Sequence, residues 1–181
     1  MKKTVLAPTP FGPVVLLWSL RERQPKLCRI LLSRPGVSAE RAAALLYPET
    51  DPGACRAIDR LCAALQSLLH GRDVRVSPDL LSLERCSPFQ QAVLRAEQGV
   101  PRGRVTTYGR LAVRLRRPTA ARAVGRALAA NPFPLIIPCH RAIQADRSLG
   151  GFQGGSAMKR ALLEAEGVAF DPDGRVSAGA L

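Results

Sequence analysis

Residues 131–141 read Asn131-Pro132-Phe133-Pro134-Leu135-Ile136-Ile137-Pro138-Cys139-His140-Arg141 and place a thiol directly beside an imidazole. The short apolar run predicts a buried strand, and the prolines would confine that strand to an edge or an end of a sheet. Pro138 fixes its own φ angle and restricts Ile137, so the chain enters Cys139 with little conformational freedom. A thiol on rigid backbone beside a base has the makings of an activated nucleophile, whereas most lone Cys-His pairs are structural.

The stretch that leads up to this segment is strongly basic. Between Cys86 and Ala130 there are nine arginines and a single acidic residue, Glu97. The whole chain of 181 residues has a net charge of +13 and a pI of about 10.9. These values indicate a polyanionic partner, with nucleic acid ahead of a membrane surface. A solvated basic face is the alternative, but the concentration of charge in one stretch favours a binding surface.

Three helices are predicted in the basic stretch. A capping box, Ser87-Pro88-Phe89-Gln90, opens the first, which ends near Gly99. Thr106 or Thr107 caps the second, and Thr119 caps the third. The third helix has an apolar stripe at helical spacing and leaves Arg122 and Arg126 on its other face. Two short helices joined by a tight turn, with basic residues on the second, form a helix-turn-helix candidate, although alanine-rich helix pairs also occur in cores.

A glycine-rich loop and one further helix follow the Cys-His pair. The loop, Gly150–Gly155, lacks the Lys-Ser/Thr ending of a phosphate-binding loop. It either lets backbone and Phe152 approach a flat ligand closely or is an ordinary flexible turn, and the glycines alone favour neither. Ser156 is predicted to cap the last helix, which Gly167 closes. Glu166 stands at the end of this helix, where the macrodipole disfavours a carboxylate, which indicates a specific role, although a solvated surface glutamate is the commoner case at such positions. The polar residues after Asp171 predict a frayed tail.

The first half predicts a small α/β unit. Residues 13–20 and 26–32 form a β-hairpin, residues 38–46 and 54–69 form helices, and residues 74–76 form a short strand. We place the domains at residues 1–83 and 84–172, with a short tail at 173–181. Five cysteines without Cys-x-x-Cys spacing and only two histidines argue against a metal site. Because no signal peptide and no membrane-spanning run is found, we expect a cytoplasmic protein, associated with the nucleoid if prokaryotic.

Residues 86–170 resemble the O6-alkylguanine-DNA alkyltransferases, or methylated-DNA–protein-cysteine methyltransferases, in the order and spacing of several motifs. The first half resembles them mainly at Thr9-Pro10-Phe11-Gly12-Pro13. The motifs in the second half are Gly103-Arg104-Val105-Thr106-Thr107-Tyr108, Ala121-Arg122-Ala123-Val124-Gly125, Asn131-Pro132, Ile137-Pro138-Cys139-His140-Arg141, Gly154-Gly155 and Glu164-Ala165-Glu166-Gly167.

This resemblance implies a mixed α/β protein with an RNase H-like α/β domain followed by a winged helix-turn-helix-like domain that holds the chemistry. It implies irreversible transfer of an alkyl group from guanine O6, or from thymine O4, in duplex DNA to the protein's own cysteine. The base is flipped out, each molecule acts once, and no cofactor is needed. The partner is double-stranded DNA that contains an alkylated base, and the protein acts as a monomer.

The resemblance also assigns roles to individual residues. Cys139 is the nucleophile, His140 takes its proton through a water, Glu166 orients the imidazole, and Asn131 and Tyr108 complete the catalytic set. Arg122 fills the gap that the flipped base leaves. Contacts to DNA are assigned to Thr106, Ala120, Ala121, Gly125 and Arg141, and contacts to the base to Tyr108, Ala142, Phe152, Gln153 and Gly154. Phe152 replaces a frequent tyrosine, and Gln153 a smaller residue.

Three other classes of protein share part of this pattern. Relatives of the family that bind lesions without repairing them lack the cysteine, so the presence of Cys139 argues against this class. A non-enzymatic winged-helix regulator leaves the Pro-Cys-His-Arg sequence unexplained. A cysteine hydrolase that used Cys139, His140 and Glu166 leaves Arg122 and the basic stretch unexplained.

Overall fold

The computed structural model describes residues 1–74 and 76–181, which form two compact units, Met1–Arg85 and Cys86–Leu181. Both units combine helices and strands, which confirms the mixed α/β class. The predicted strand at residues 74–76 includes Arg75, which lies outside the described residues.

The first unit is built on a four-stranded sheet. Its strands are β1 (Lys2–Leu6), β2 (Val14–Arg21), β3 (Gln24–Leu32) and β4 (Asp51–Pro52), in the order β3-β2-β1-β4. Strand β1 pairs antiparallel with β2 and parallel with β4. The predicted hairpin is β2–β3, and the φ angles of Glu22 (50°) and Arg23 (65°) give the two-residue turn that suits the twist of the strands.

Two helices cover this sheet, as predicted. They are α1 (Ala39–Leu46) and α2 (Arg56–Leu69). The Ser38 hydroxyl accepts a hydrogen bond from the Arg41 amide at 3.1 Å, which caps α1. One face of the hairpin packs against α1 through the buried residues Val15, Leu17, Leu31, Ala39 and Ala43.

The second unit consists mainly of helices. They are α3 (Pro88–Gln98), α4 (Tyr108–Arg114), α5 (Ala121–Ala129) and α6 (Gly155–Ala165). Between them, β5 (Thr106–Thr107) pairs in parallel with β6 (Ala142–Ile143). Helices α4 and α5 pack together and form the predicted helix-turn-helix pair. None of the helices among the described residues is long and apolar enough to cross a membrane.

The predicted helix caps are confirmed in part. Ser87 and Thr107 accept hydrogen bonds from the amides three residues later, at 3.2 and 3.1 Å. The prediction for Thr119 is wrong, because Pro118–Ala120 forms a 3₁₀ turn and α5 begins without a side-chain cap. The prediction for Ser156 is also wrong, because Gly155 already lies inside α6.

Gln90 does not complete its capping box. Its side-chain nitrogen Nε2 donates instead to the carbonyls of Ala127 and Ala130, at 3.2 and 3.1 Å. These carbonyls belong to the end of α5, where helical carbonyls have no partner within the helix. Gln90 therefore ties α3 to the end of α5, just before Asn131.

The C-terminal segment is packed, so the prediction of a frayed tail at 173–181 is wrong. The Val105 amide donates to the Ala180 carbonyl at 2.8 Å. Val176 and Ala180 are buried in one cluster with Val105, Ile143, Leu163 and Val168. The segment was misjudged because only a few of its residues are apolar, and these few are the ones that face the core.

Candidate functional site

The segment 131–141 is a compact turn, so the prediction of a buried strand is wrong. Leu135 has a φ angle of 74°, and the Ile137 amide donates to the Phe133 carbonyl at 2.9 Å, which closes the turn. All residues from Asn131 to His140 are buried. Burial selects apolar side chains whatever the backbone does, which explains why the run resembled a strand.

Cys139 and His140 lie on a single turn of 3₁₀ helix, Cys139–Arg141. Adjacent residues of a strand point to opposite faces, so a bend between the two side chains was required. The Arg141 amide donates to the Pro138 carbonyl at 2.8 Å and fixes that bend. The rigid approach expected from Pro138 thus leads into a turn.

Asn131 holds this turn from inside. Its side chain is 2% exposed, its Oδ1 accepts from the Phe133 amide at 2.9 Å, and its Nδ2 donates to the Ile137 carbonyl at 3.1 Å. Both backbone groups lie in the buried turn, where polar groups need partners, and the Ile137 carbonyl also accepts from the Cys139 amide at 2.8 Å. Asn131 therefore braces the backbone that carries Cys139.

His140 and Glu166 form the expected pair. His140 Nε2 lies 3.0 Å from Glu166 Oε1, and both side chains are buried. Burial opposes ionisation of Glu166, but hydrogen bonds from His140 and Arg141 hold the pKa of its carboxyl at about 2. Because an ionised carboxylate only accepts hydrogen bonds, Nε2 must carry the proton and Nδ1 must hold the lone pair. This Nδ1 has no hydrogen-bond partner within the described part of the chain.

Cys139 carries its proton at neutral pH. Burial raises the pKa of Cys139 to about 11, although a hydrogen bond from Asn131 opposes the rise. Burial likewise lowers the pKa of His140, so its imidazole is neutral at neutral pH. The site thus holds a buried thiol, a neutral base with a lone pair at Nδ1, and an ionised carboxylate behind that base.

Arg141 lies beside Glu166, and its assignment to DNA binding stays a prediction. Its Nε and Nη2 donate to the two oxygens of Glu166 at 2.8 Å, and its Nη1 donates to the Val100 carbonyl at 2.6 Å. The side chain is 15% exposed. Three of the five N–H groups of the guanidinium are thus used within the protein.

Lys159 is a buried charged residue that the sequence reasoning missed. Its side chain is fully buried, and its Nζ donates to the carbonyls of Ala142, Leu149 and Gly151. It therefore fastens the glycine-rich loop to β6. The available signal was its position on α6, three and four residues before the buried Leu162 and Leu163.

The glycine-rich loop brings aromatic residues to the site. The ring of Phe152 meets that of His140 edge-on, with centroids 6.1 Å apart. A Cβ on Gly150 would lie 2.7 Å from the Tyr108 hydroxyl, so this glycine permits close approach of the loop to Tyr108. Gln153 is half-buried in the same loop, whereas Ala142 and Gly154 are buried. A side chain on Gly154 would overlap Met158.

A groove of about 570 Å³ runs along α5. Arg122 and Arg126 lie one turn apart on the side of the groove that α5 forms. The side chain of Arg122 is exposed and makes no hydrogen bond or ion pair within the described residues. Thr106 pairs with Ala142 in the small sheet, and Ala120 ends the 3₁₀ turn; neither lines the groove. The groove is lined by Tyr108, Gly109, Ala121, Arg122, Gly125, Arg126, Ala129, Gln144 and Ala145.

No cluster of three or more metal-ligating side chains is found in residues 1–74 and 76–181.

Comparison with known proteins identifies one family. Residues 88–168 match the profile of the 6-O-methylguanine DNA methyltransferase, DNA binding domain. A curated relative, the methylated-DNA–protein-cysteine methyltransferase of Methanothermobacter thermautotrophicus, is 39% identical over 115 residues. That match covers 64% of this chain and 64% of the relative, so the chain spans somewhat less than two thirds of the relative's length.

Two solved structures of Mycobacterium tuberculosis proteins are similar over almost the whole chain. The O6-methylguanine methyltransferase of that organism is 31% identical, with a TM-score of 0.66, over 91% of this chain and 92% of that one. The protein called OGT, solved in complex with DNA, is 30% identical, with a TM-score of 0.68, over 92% and 93% of the two chains.

Proposed function

Because the chain belongs to the O6-methylguanine-DNA methyltransferase family, we propose that it repairs duplex DNA by moving an alkyl group from guanine O6 to its own Cys139. One observation carries this proposal: the buried side chains of Cys139, His140 and Glu166 lie in the same unit as a groove that is lined by Arg122 and Arg126. O4-alkylthymine is a second lesion of the same chemistry. Transfer is irreversible and happens once per molecule, and it needs no cofactor.

The first step makes the thiolate. His140 Nδ1 takes the proton of Cys139 through a bridging water, and the imidazolium that forms is stabilised by Glu166 at Nε2. Arg141 holds Glu166 in place and keeps its carboxyl ionised. Because burial favours neutral Cys139 and neutral His140, the thiolate and the imidazolium form only when the alkyl group of the substrate lies close to Cys139.

The second step is a displacement at the alkyl carbon. The sulfur–carbon bond forms while the bond from carbon to O6 breaks, and the electron pair stays on the base. The Tyr108 hydroxyl donates a hydrogen bond that stabilises the negative charge on the leaving base, and the base becomes guanine when it takes up one proton, which balances the proton that Cys139 gave to His140. Burial raises the pKa of Tyr108, which keeps the hydroxyl protonated.

The lesion reaches Cys139 only when its base leaves the duplex, since the target atom is inaccessible in the stack. The small residues Ala121 and Gly125 leave room for a DNA backbone against α5, as in minor-groove binding. Arg122 fills the gap in the duplex. We also propose that the protein works as a monomer in a cytoplasmic, reducing setting, where it meets DNA.

The defining experiment is intact mass spectrometry after incubation with duplex DNA that contains O6-methylguanine. We expect the protein to gain the mass of one methyl group, at most one per molecule, and peptide mapping to place it on Cys139. The same duplex with unmodified guanine is the control. If folded protein stays unmodified while it binds unmodified DNA with sequence preference, it is a regulator and the repair proposal is wrong.

The role of Arg122 has its own test. We expect Arg122→Ala to slow methyl transfer from duplex DNA by about tenfold or more, because the gap in the stack is no longer filled. Transfer from a free-base analogue such as O6-benzylguanine should change much less, because there is no stack to open. Rates come from quenched-flow sampling followed by mass spectrometry.

Arg60→Ala is the matched control for Arg122, because Arg60 is an exposed arginine on α2 in the other unit. Equal losses on duplex and free base would remove the gap-filling role of Arg122.

A further inference from the structure

Glu97 is the single acidic residue of the basic stretch, and it is completely buried. It lies on the third turn of α3, and neither of its carboxyl oxygens has a hydrogen-bond partner among the described residues. Buried carboxyl groups are nearly always hydrogen-bonded, so an exception needs a reason. The mechanism above makes no use of Glu97.

Helix α3 packs against the turn Cys139–Arg141, hereafter the reactive turn. The Glu97 carbonyl accepts from the Val100 amide at 2.9 Å, and the Val100 carbonyl accepts from Arg141 Nη1 at 2.6 Å. The backbone of Glu97 is therefore linked through one residue to the guanidinium that holds Glu166.

Glu97 also shares a buried electrostatic environment with the nucleophile. The charges of Glu97 and Lys159 both act on Cys139, with opposite signs: Glu97 raises the pKa of the thiol, and Lys159 lowers it. Burial raises the pKa of Glu97 to about 8, although Lys159 and Arg141 oppose the rise. Burial lowers the pKa of Lys159 to about 8 as well.

The charged and titratable groups around Glu97 come from α4, the Cys139–Arg141 turn and α6, whereas Arg122 and Arg126 of α5, which also packs on α3, are exposed in the groove. The Arg114 guanidinium of α4 bonds the Ala96 carbonyl of the same turn at 3.4 Å. The other groups are Tyr108 of α4, Cys139 and Arg141 of the reactive turn, and Lys159 of α6.

We propose that Glu97 is a proton-controlled positioning residue that sets how readily Cys139 becomes a thiolate. When Glu97 is protonated, the ammonium of Lys159 is uncompensated and favours the thiolate. When Glu97 ionises, its charge opposes the thiolate, and Lys159, whose pKa is also about 8, compensates that charge only in part. This inference rests on the proposed function, since it describes the nucleophile of that reaction.

The sign of the pH dependence follows. Below pH 8 Glu97 is mostly protonated, and its anion does not oppose the thiolate. Above pH 8 the anion appears, so the reactivity of Cys139 rises less with pH than that of an ordinary thiol. Removing the carboxyl removes this restraint at alkaline pH only.

The test compares Glu97→Gln with the wild type between pH 6.5 and pH 9.5. We measure alkylation of Cys139 by iodoacetamide with peptide mapping, and methyl transfer from O6-methylguanine DNA in parallel. The ratio of the variant rate to the wild-type rate should grow by about threefold or more across this range, the scale on which a nearby buried charge changes a thiolate fraction. Glu97→Leu, which also lacks the charge, should behave in the same way if Glu97→Gln does not fold.

Two controls isolate the effect. Glu97→Asp keeps a titratable carboxyl and should keep the wild-type profile, and Glu164→Gln removes an exposed carboxylate of α6 and should not alter it. A ratio that stays constant with pH for both uncharged variants would overturn the proposal. The iodoacetamide rates need no DNA, so they judge Glu97 even if methyl transfer, and with it the proposed function, fails.

Discussion

Cys139→Ala abolishes methyl transfer while leaving DNA binding in place. The sulfur is the only atom that forms the new bond, so the rate should fall by on the order of a thousandfold or more, as for removal of the nucleophile in other covalent mechanisms. The substitution deletes one buried atom from a braced turn, and the fold should survive. The measurements are intact mass after incubation with O6-methylguanine duplex, and fluorescence anisotropy for binding.

Cys62→Ala is the matched control for Cys139. Cys62 lies on α2, and burial raises the pKa of its thiol to about 11, as it does for Cys139. Burial thus raises the pKa values of both thiols alike, and the difference between them is that Cys139 has the His140–Glu166 pair next to it. A methyl group found on Cys62, or one that persists after Cys139→Ala, would show that the acceptor has been misassigned.

Glu166→Gln should slow methyl transfer by about a hundredfold or more, because it removes the charge that stabilises the imidazolium and fixes the tautomer of His140. Glutamine can donate its amide proton to Nε2, which would place the His140 proton on Nδ1 and take away the lone pair that receives the thiol proton. Stopped reactions analysed by mass spectrometry give the rate, and anisotropy gives the affinity for DNA, which should change little.

Glu166→Gln also leaves the Arg141 guanidinium half-buried without its counter-charge, which should destabilise the protein by roughly 1–3 kcal/mol. Urea unfolding measures this loss and circular dichroism verifies the fold. Glu164→Gln, two residues away on the exposed face of α6, is the control. If transfer by Glu166→Gln matches that of Glu164→Gln, the relay through Glu166 is not part of the reaction.

Much of the architecture was predictable from the sequence, because local patterns determine it. The two apolar runs of the hairpin, the stripe of α5 and the caps at Ser87 and Thr107 are each set within a few residues, and each is confirmed. Strand β1 was missed: its Lys2-Lys3-Thr4 start is polar, and it belongs to the sheet only through its partners.

The site was predictable to a lesser degree, for a physical reason. Motif spacing indicated Cys139, His140 and Glu166, and the structure brings His140 and Glu166 to 3.0 Å. Arg141 and Lys159 could not be placed in this way, since basic side chains are usually solvated and their burial depends on distant carbonyls and a distant carboxylate. The backbone of residues 131–141 was misjudged because apolar composition reports burial and says little about φ.

The complete burial of residues 131–140 limits how such a protein can evolve. Each position of that turn serves packing and chemistry together, so a substitution that altered which damaged bases are accepted would also disturb the core. The half-exposed residues of the Gly150–Gly155 loop contribute less to the packing of the core. We therefore expect substitutions that admit bulkier lesions to occur at Phe152 and Gln153 and not in the segment that holds the thiol.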